Sequence, residues 1–191
     1  MFRFLSKIYL RLGHWKAVGE FPPSLKKAVV IVGPHTSSSD VFVCLAFRKV
    51  LHLERFKFIG KQELFKAPFG FIFRWLGGIP VDRFHRHGFV EQVADMFNNK
   101  EEFIIGLSPE GTRKKVDRLR TGFYHIATEA KVPIMMIGLD FEHRQMIFAE
   151  PFFPTNDELA DFDHILRFFG PIKGKHPELG VAHLLGNSSP K

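Results

Sequence analysis

His35 and Asp40, the ends of the run His35-Thr-Ser-Ser-Ser-Asp40, are the pair in this chain best placed to do chemistry. They follow the apolar, β-branched run Ala28-Val-Val-Ile-Val32, which Gly33 and Pro34 cut off. That pattern predicts a buried strand over 28–32 with the histidine in the turn at its end. On one continuous helix the two side chains would point to different faces. If Ser37, Ser38 or Ser39 caps a new helix, His35 stays in the loop and Asp40 falls in the first turn, from which its carboxylate can reach back to the imidazole. An aspartate on one ring nitrogen fixes the tautomer, leaves the other nitrogen free to accept a proton, and stabilises the imidazolium that results. This is half of a Ser-His-Asp triad. Its missing nucleophile can be a hydroxyl of the substrate; a purely structural His–Asp contact is the alternative.

A second block, Ser108-Pro-Glu-Gly-Thr-Arg-Lys114, begins where a predicted strand over 103–107 stops. Gly111 allows close backbone approach, Thr112 offers a hydroxyl, and Arg113 presents a planar fork suited to phosphate. Lys114, Lys115, Arg118 and Arg120 follow, which favours an anion site over a plain exposed loop. Arg83 holds the equivalent position after the run Gly77-Gly-Ile-Pro-Val81, and Lys61 follows a short strand at 56–59. In a parallel sheet all these residues leave the carboxyl edge, where open α/β folds place their ligands. His85 and His87 flank Arg86 without the spacing of zinc ligands, and no metal is expected.

The elements that must position these groups alternate. Strands are expected at 28–32, 56–59, 77–81, 103–107 and 134–139, with a hairpin partner at 146–149; helices are expected at 38–53, 88–99, 120–130 and 156–169. Residues 61–76 read as two helical pieces broken near Pro68 and Gly70, apolar nearly all round, so either deeply buried or against acyl chains. The tail from Gly170 reads as a loosely ordered end. This alternation predicts an α/β fold with a mixed, mainly parallel twisted sheet flanked by helices.

An amphipathic helix is expected ahead of that fold, over 2–16. Phe4, Leu5, Ile8, Tyr9, Leu12 and Trp15 gather on one side, Arg3, Lys7, Arg11 and His14 on the other, and no acid precedes Glu20. This is the pattern of an interfacial anchor; a terminal helix docked on the core is the alternative. Residues 1–20 are therefore read as a membrane-associating helix and 21–191 as one α/β domain.

Composition narrows the partners. A net charge of +7 favours an anionic ligand or surface, and 23 Phe argue for a large apolar core, an acyl-chain cavity or a face against lipid. No run reaches the roughly 20 apolar residues of a spanning helix or the apolar core of a signal peptide. The single Cys44 excludes an internal disulfide and reads as the buried side of a helix. Basic residues at strand ends and on the first helix, without an aromatic-basic recognition motif, argue against nucleic acid.

Four blocks occur in the order of the glycerolipid acyltransferases of the lysophosphatidic acid acyltransferase type. His35 to Asp40 resembles the H-x4-D block, Gly78-Ile-Pro-Val-Asp-Arg83 the arginine block, Pro109-Glu-Gly-Thr-Arg113 the E-G-T-R block, and Val132-Pro-Ile134 the V-P-I block. Lys61-Gln-Glu-Leu-Phe-Lys-Ala-Pro-Phe-Gly70 is similar to a further segment of that family, while Pro34 stands where it usually has Asn. The resemblance, over roughly residues 28 to 140, implies acyl transfer from acyl-CoA or acyl carrier protein to a hydroxyl of a lysophospholipid, above all 1-acylglycerol-3-phosphate. It implies His35 and Asp40 as catalytic residues, and Lys61, Arg83, Glu110, Gly111, Thr112 and Arg113 as binders of the acceptor. No cofactor is implied beyond the donor thioester, and the expected location is cytoplasmic, peripherally bound at the inner face of the cell membrane. A different acceptor such as a lyso-aminolipid, a thioesterase, and a non-catalytic lipid-binding protein are the rival readings.

Overall fold

In a computed structural model the chain is described over residues 2–66, 68, 70–81 and 86–186, without the side chains of Lys61, Leu64, Arg86 and His87. Its centre is the run 28–32, which forms strand β2 over Lys27–Gly33. Ala28, Val29, Val30 and Ile31 are fully buried. Val29 and Ile31 join one apolar cluster, while Ala28 and Val30 join a second on the opposite face. A strand buried on both faces needs no polar alternation, which is why the sequence here is continuously apolar. Each of the valines and the isoleucine contributes about 1.5–3 kcal/mol by leaving water.

Around β2 the other strands are β1 (Lys16–Val18), β3 (Phe56–Lys61), β4 (Gly78–Val81), β5 (Phe103–Leu107), β6 (Ile134–Asp140) and β7 (Gln145–Phe148). The sheet order is β1-β7-β6-β2-β5-β3-β4. Strands β2 to β6 run parallel; β7 is antiparallel to β6, and β1 parallel to β7. Helices α1 (Phe2–Leu12) and α2 (Ser39–Val50) cover one face. Helices α4 (Arg86–Asn98), α5 (Gly122–Glu129) and α6 (Glu158–Phe169) cover the other. The mixed, mainly parallel α/β sandwich expected from the alternation is the fold observed. Residues 61–76 divide as expected, into a 3-10 turn over Gln62–Phe65 and a short helix α3 over Gly70–Trp75.

Two expectations are corrected. The first helix ends at Leu12, because Gly13 and His14, the latter with φ +57°, turn the chain so that the Trp15 N–H meets the Leu10 carbonyl at 2.8 Å. Trp15 therefore leaves the apolar face of α1 and packs edge-on against Phe47 and Phe141, and residues 16–18 become an edge strand. Through Gly186 the tail is also not loose: Ile172, Val181 and Leu184 are buried in the main core, and residues 187–191 lie outside the described residues. Its backbone is tied to the sheet edge, Lys173 accepting from the Phe141 N–H and His176 donating to the Thr36 hydroxyl.

Among the described residues no helix is long and apolar enough to cross a membrane. Leu10 anchors α1 to the core, yet Phe2, Phe4, Leu5, Ile8, Tyr9 and Leu12 stay exposed. The docked reading thus holds for one side of this helix, and the apolar residues of its other side face solvent. Phe42 on α2 and Phe71 and Trp75 on α3 are exposed as well, at 63%, 68% and 62%, and the Phe2 ring meets Trp75 at 5.5 Å.

Candidate active site

Strand β2 delivers His35 to the carboxyl edge, and α2 starts four residues later with Asp40 in its first turn. The Nδ1 of His35 lies 2.9 Å from Oδ2 of Asp40, with the imidazole 26% and the carboxylate 2% exposed. The same oxygen accepts the N–H groups of Thr36 at 3.0 Å and Ser37 at 2.9 Å. An acceptor-only carboxylate assigns the proton to Nδ1, so Nε2 is left as the free base. The capping expected of the serines takes another form: Ser38 is the N-cap but its side chain does not cap, and Ser37 Oγ accepts from the Ser39 N–H at 3.2 Å. Asp40, in the first turn where helix polarity favours a carboxylate, ties down the loop ahead of the helix.

The 35–40 loop uses up almost all its own donors. The His35 N–H donates to Glu110 Oε1 at 2.9 Å, and the Asp40 N–H reaches the Ser37 carbonyl at 3.4 Å. With Thr36, Ser37 and Ser39 also engaged, the Ser38 N–H is the one in this loop without an acceptor among the described residues. The Ser38 hydroxyl accepts from the Arg113 guanidinium, which brings the Glu-Gly-Thr-Arg turn alongside the histidine loop.

Glu110 is 2% exposed. Burial pushes its carboxyl above the usual range, opposed by hydrogen bonds from the Ser108 hydroxyl and the His35 N–H. Its carboxylate thus faces the histidine loop from beneath, while Arg113 faces outward. Gly111 adopts φ +67°, a conformation that suits glycine, and a Cβ there would meet Arg120 Cγ at 3.1 Å. Thr112 Oγ1 accepts the Lys114 N–H at 3.3 Å. Lys61 ends β3 at the same edge, its side chain outside the described portion. Arg83 and His85 lie outside the described residues, as does the side chain of His87. Among the described residues no group of three or more His, Cys, Asp or Glu is placed to hold a metal.

A cavity of about 1280 Å³ opens at His35 and Asp40 and passes over the sheet edge into both faces. The lobe under α2 is lined by apolar groups such as Val41, Leu45, Phe47 and Met146. Cys44 lines this lobe too, its thiol pushed up to about 12 by burial, with Asp40 adding to the shift; such a group is an inert wall. The lobe toward α4 and α5 carries Thr112, Arg113, Arg118, Arg120 and His125. A second His–Asp contact, His143 Nδ1 to Asp140 Oδ2 at 2.6 Å, was not foreseen. Asp140 also accepts the N–H groups of Glu142 and His143, so the pair closes the β6–β7 turn. Ser38, one of the three cap candidates, is the N-cap residue of α2, and its contact with Arg113 had no signal in the sequence.

A family model described as Acyltransferase matches residues 16–140. No curated protein matches the chain. Among solved structures, the 1-acyl-sn-glycerophosphate (LPA) acyltransferase PlsC from Thermotoga maritima is similar, with a TM-score of 0.54 and 18% identity over 87% of this chain and 76% of that one. At that identity the likeness concerns the fold.

Proposed function

The chain belongs to the acyltransferase family, and from that premise we propose that it moves a fatty acyl group from a thioester, acyl-CoA or acyl carrier protein, to a hydroxyl of a lysophospholipid, with 1-acylglycerol-3-phosphate the first candidate. The observation that carries this reading is the His35–Asp40 contact of 2.9 Å at the mouth of a largely apolar cavity, with Arg113 beside it. Nε2 of His35 takes the proton of the acceptor hydroxyl as its oxygen attacks the thioester carbonyl. Asp40 holds the ring and supports the imidazolium formed. The Ser38 N–H donates to the oxyanion, a preorganised group aimed at charge that develops only in the transition state. When the intermediate collapses, the C–S bond breaks, the ester remains on the acceptor, and His35 returns its proton to the leaving thiolate.

Arg113, with Lys61 and Arg83, holds the acceptor phosphate; Gly111 and Thr112 shape the turn that presents Arg113, and Glu110 holds the loop bearing His35. The apolar lobe under α2 takes acyl chain. Val41, Phe73 and Leu76 line the cavity close to the exposed aromatic residues of α2 and α3. With the exposed apolar side of α1 and its Arg3, Lys7 and Arg11, these support a peripheral seat on an anionic bilayer, at the cytoplasmic face, from which a lyso-lipid enters. A different lyso-lipid, such as a lyso-aminolipid, is the second reading, because Pro34 stands where the family usually has Asn.

Mass spectrometry of products from the purified full chain, offered lysophosphatidic acid and lyso-aminolipids with both donors, tests this. The expected product is phosphatidic acid, absent with His35→Ala. Acyl release that ignores the acceptor would instead indicate a thioesterase, and turnover by His35→Ala at the wild-type rate would overturn the mechanism. A folded chain that binds vesicles and turns over nothing would be a lipid-binding protein.

A further inference from the structure

Arg113 is not the only cation in the cavity. Arg118 and Arg120 line the lobe between α4 and α5 together with His125, and among the described residues neither arginine has an ion pair or side-chain hydrogen bond. Two guanidiniums left without a counter-charge beside one cavity repel each other, and an anion relieves that repulsion. Their placement is built rather than incidental. Between them Leu119 is buried in the core, so the chain is pinned with the two arginines flanking the anchor. The Arg120 N–H donates to the Pro109 carbonyl at 2.8 Å, which closes the 109–120 loop, and the Arg120 stem lies over Gly111 in the turn that carries Arg113.

The same wall includes Thr121 and Gly122 at the start of α5. No acid occupies the first turn of that helix, and the Thr121 N-cap makes no side-chain capping bond. Nearby carboxylates are few: Asp117 is exposed, and Glu110 faces the histidine loop. The positive helix terminus and both arginines therefore act on one lobe that no acidic side chain lines among the described residues.

We propose that Arg118 and Arg120, with the start of α5, form a second anion site for the phosphate at the end of the pantetheine arm of the acyl donor. This rests on the acyl-transfer reading, which needs the donor sulfur and the acceptor hydroxyl at His35 together. The acceptor phosphate occupies Arg113, so the donor phosphate requires its own cations. Coenzyme A and acyl carrier protein both carry this phosphate on pantetheine, so one site serves either source.

Calorimetric titration of the full chain with 4′-phosphopantetheine, coenzyme A and pantetheine tests the site without any turnover. The first two are expected to bind, and pantetheine to bind at least about ten-fold more weakly, the scale of one lost charge-assisted contact. The double variant Arg118→Gln, Arg120→Gln should lose that preference, and Arg118→Lys, Arg120→Lys should recover part of it. In steady state the double variant should raise the donor KM and leave the acceptor KM unchanged. Whether the rise is seen with acyl-CoA or with acyl carrier protein identifies the source. Equal binding of pantetheine and phosphopantetheine, a double variant that binds like wild type, or a raised acceptor KM instead would each overturn the site. Phosphopantetheine binding through these arginines with no acyl transfer to any lysophospholipid would overturn the acyl-transfer reading alone. Transfer by a double variant with an unchanged donor KM would overturn the anion site alone.

Discussion

The backbone N–H of His35 donates to the side chain of Glu110 at 2.9 Å, joining two motifs that lie 75 residues apart. The loop that carries His35 is thus held from below by the turn that carries Arg113. One strand end braces the other.

Removing that brace has a defined cost. Glu110→Ala leaves the His35 N–H unsatisfied and should destabilise the fold by about 1–3 kcal/mol, with kcat falling as the imidazole loses its seat. Glu110→Gln keeps an acceptor and should retain the fold. The Glu110 carboxyl titrates above its ordinary value of 4.5 because it is buried, so the folded state holds its proton more tightly than the unfolded chain. Its stabilising contribution is complete below 4.5 and is lost as pH rises through the raised value. Thermal unfolding of the Gln variant between pH 4.5 and 7 should therefore fall less steeply with pH than wild type; equal slopes would refute the linkage.

Asp40→Asn should lower kcat by about 10²–10⁴-fold, because the amide can no longer fix Nδ1–H and support the imidazolium. The acceptor KM should change little. A variant within three-fold of wild-type kcat would show that the His35–Asp40 contact is structural.

The role given to the Ser38 N–H separates two substitutions. Ser38→Ala keeps the N–H and loses only the contact with Arg113. Ser38→Pro removes the N–H at a residue whose φ of −66° proline adopts, and should lose about 10²–10³-fold in kcat, the scale of one oxyanion donor. Similar rates for the two variants would place the oxyanion elsewhere.

Exposed aromatic residues on α2 and α3 extend the apolar side of α1. Phe42→Glu with Trp75→Glu should weaken sedimentation with anionic vesicles by about ten-fold or more, the scale of a buried aromatic side chain lost from the interface. Turnover of detergent-dispersed substrate should persist. Unchanged vesicle binding would confine the membrane contact to α1.

Much of this was legible along the chain. The run 28–32 reads as a buried strand because a strand covered on both faces has no reason to alternate, and His35 and Asp40 read as a pair because a loop and a helix start return one to the other. Residues 16–18 carry no such signal: Lys16-Ala-Val18 is short and exposed, and it becomes a strand only because β7 lies beside it. Trp15 fits the helical period of α1 equally well on paper; the turn at Gly13 and His14 sends it to Phe47 instead. The tail's spaced Ile172, Val181 and Leu184 have no period, so nothing before folding distinguishes them from a loose end.

Hydrophobic period and strand ends are local properties of the chain, so the sheet, its carboxyl edge and the residue types along that edge are written in the order of the amino acids. Which groups touch depends on packing. Glu110 under His35 and Arg113 on Ser38 are contacts between segments 75 residues apart in sequence. No local period encodes them; the parallel order of β2, β5 and β3 does, by bringing their carboxyl ends to one place.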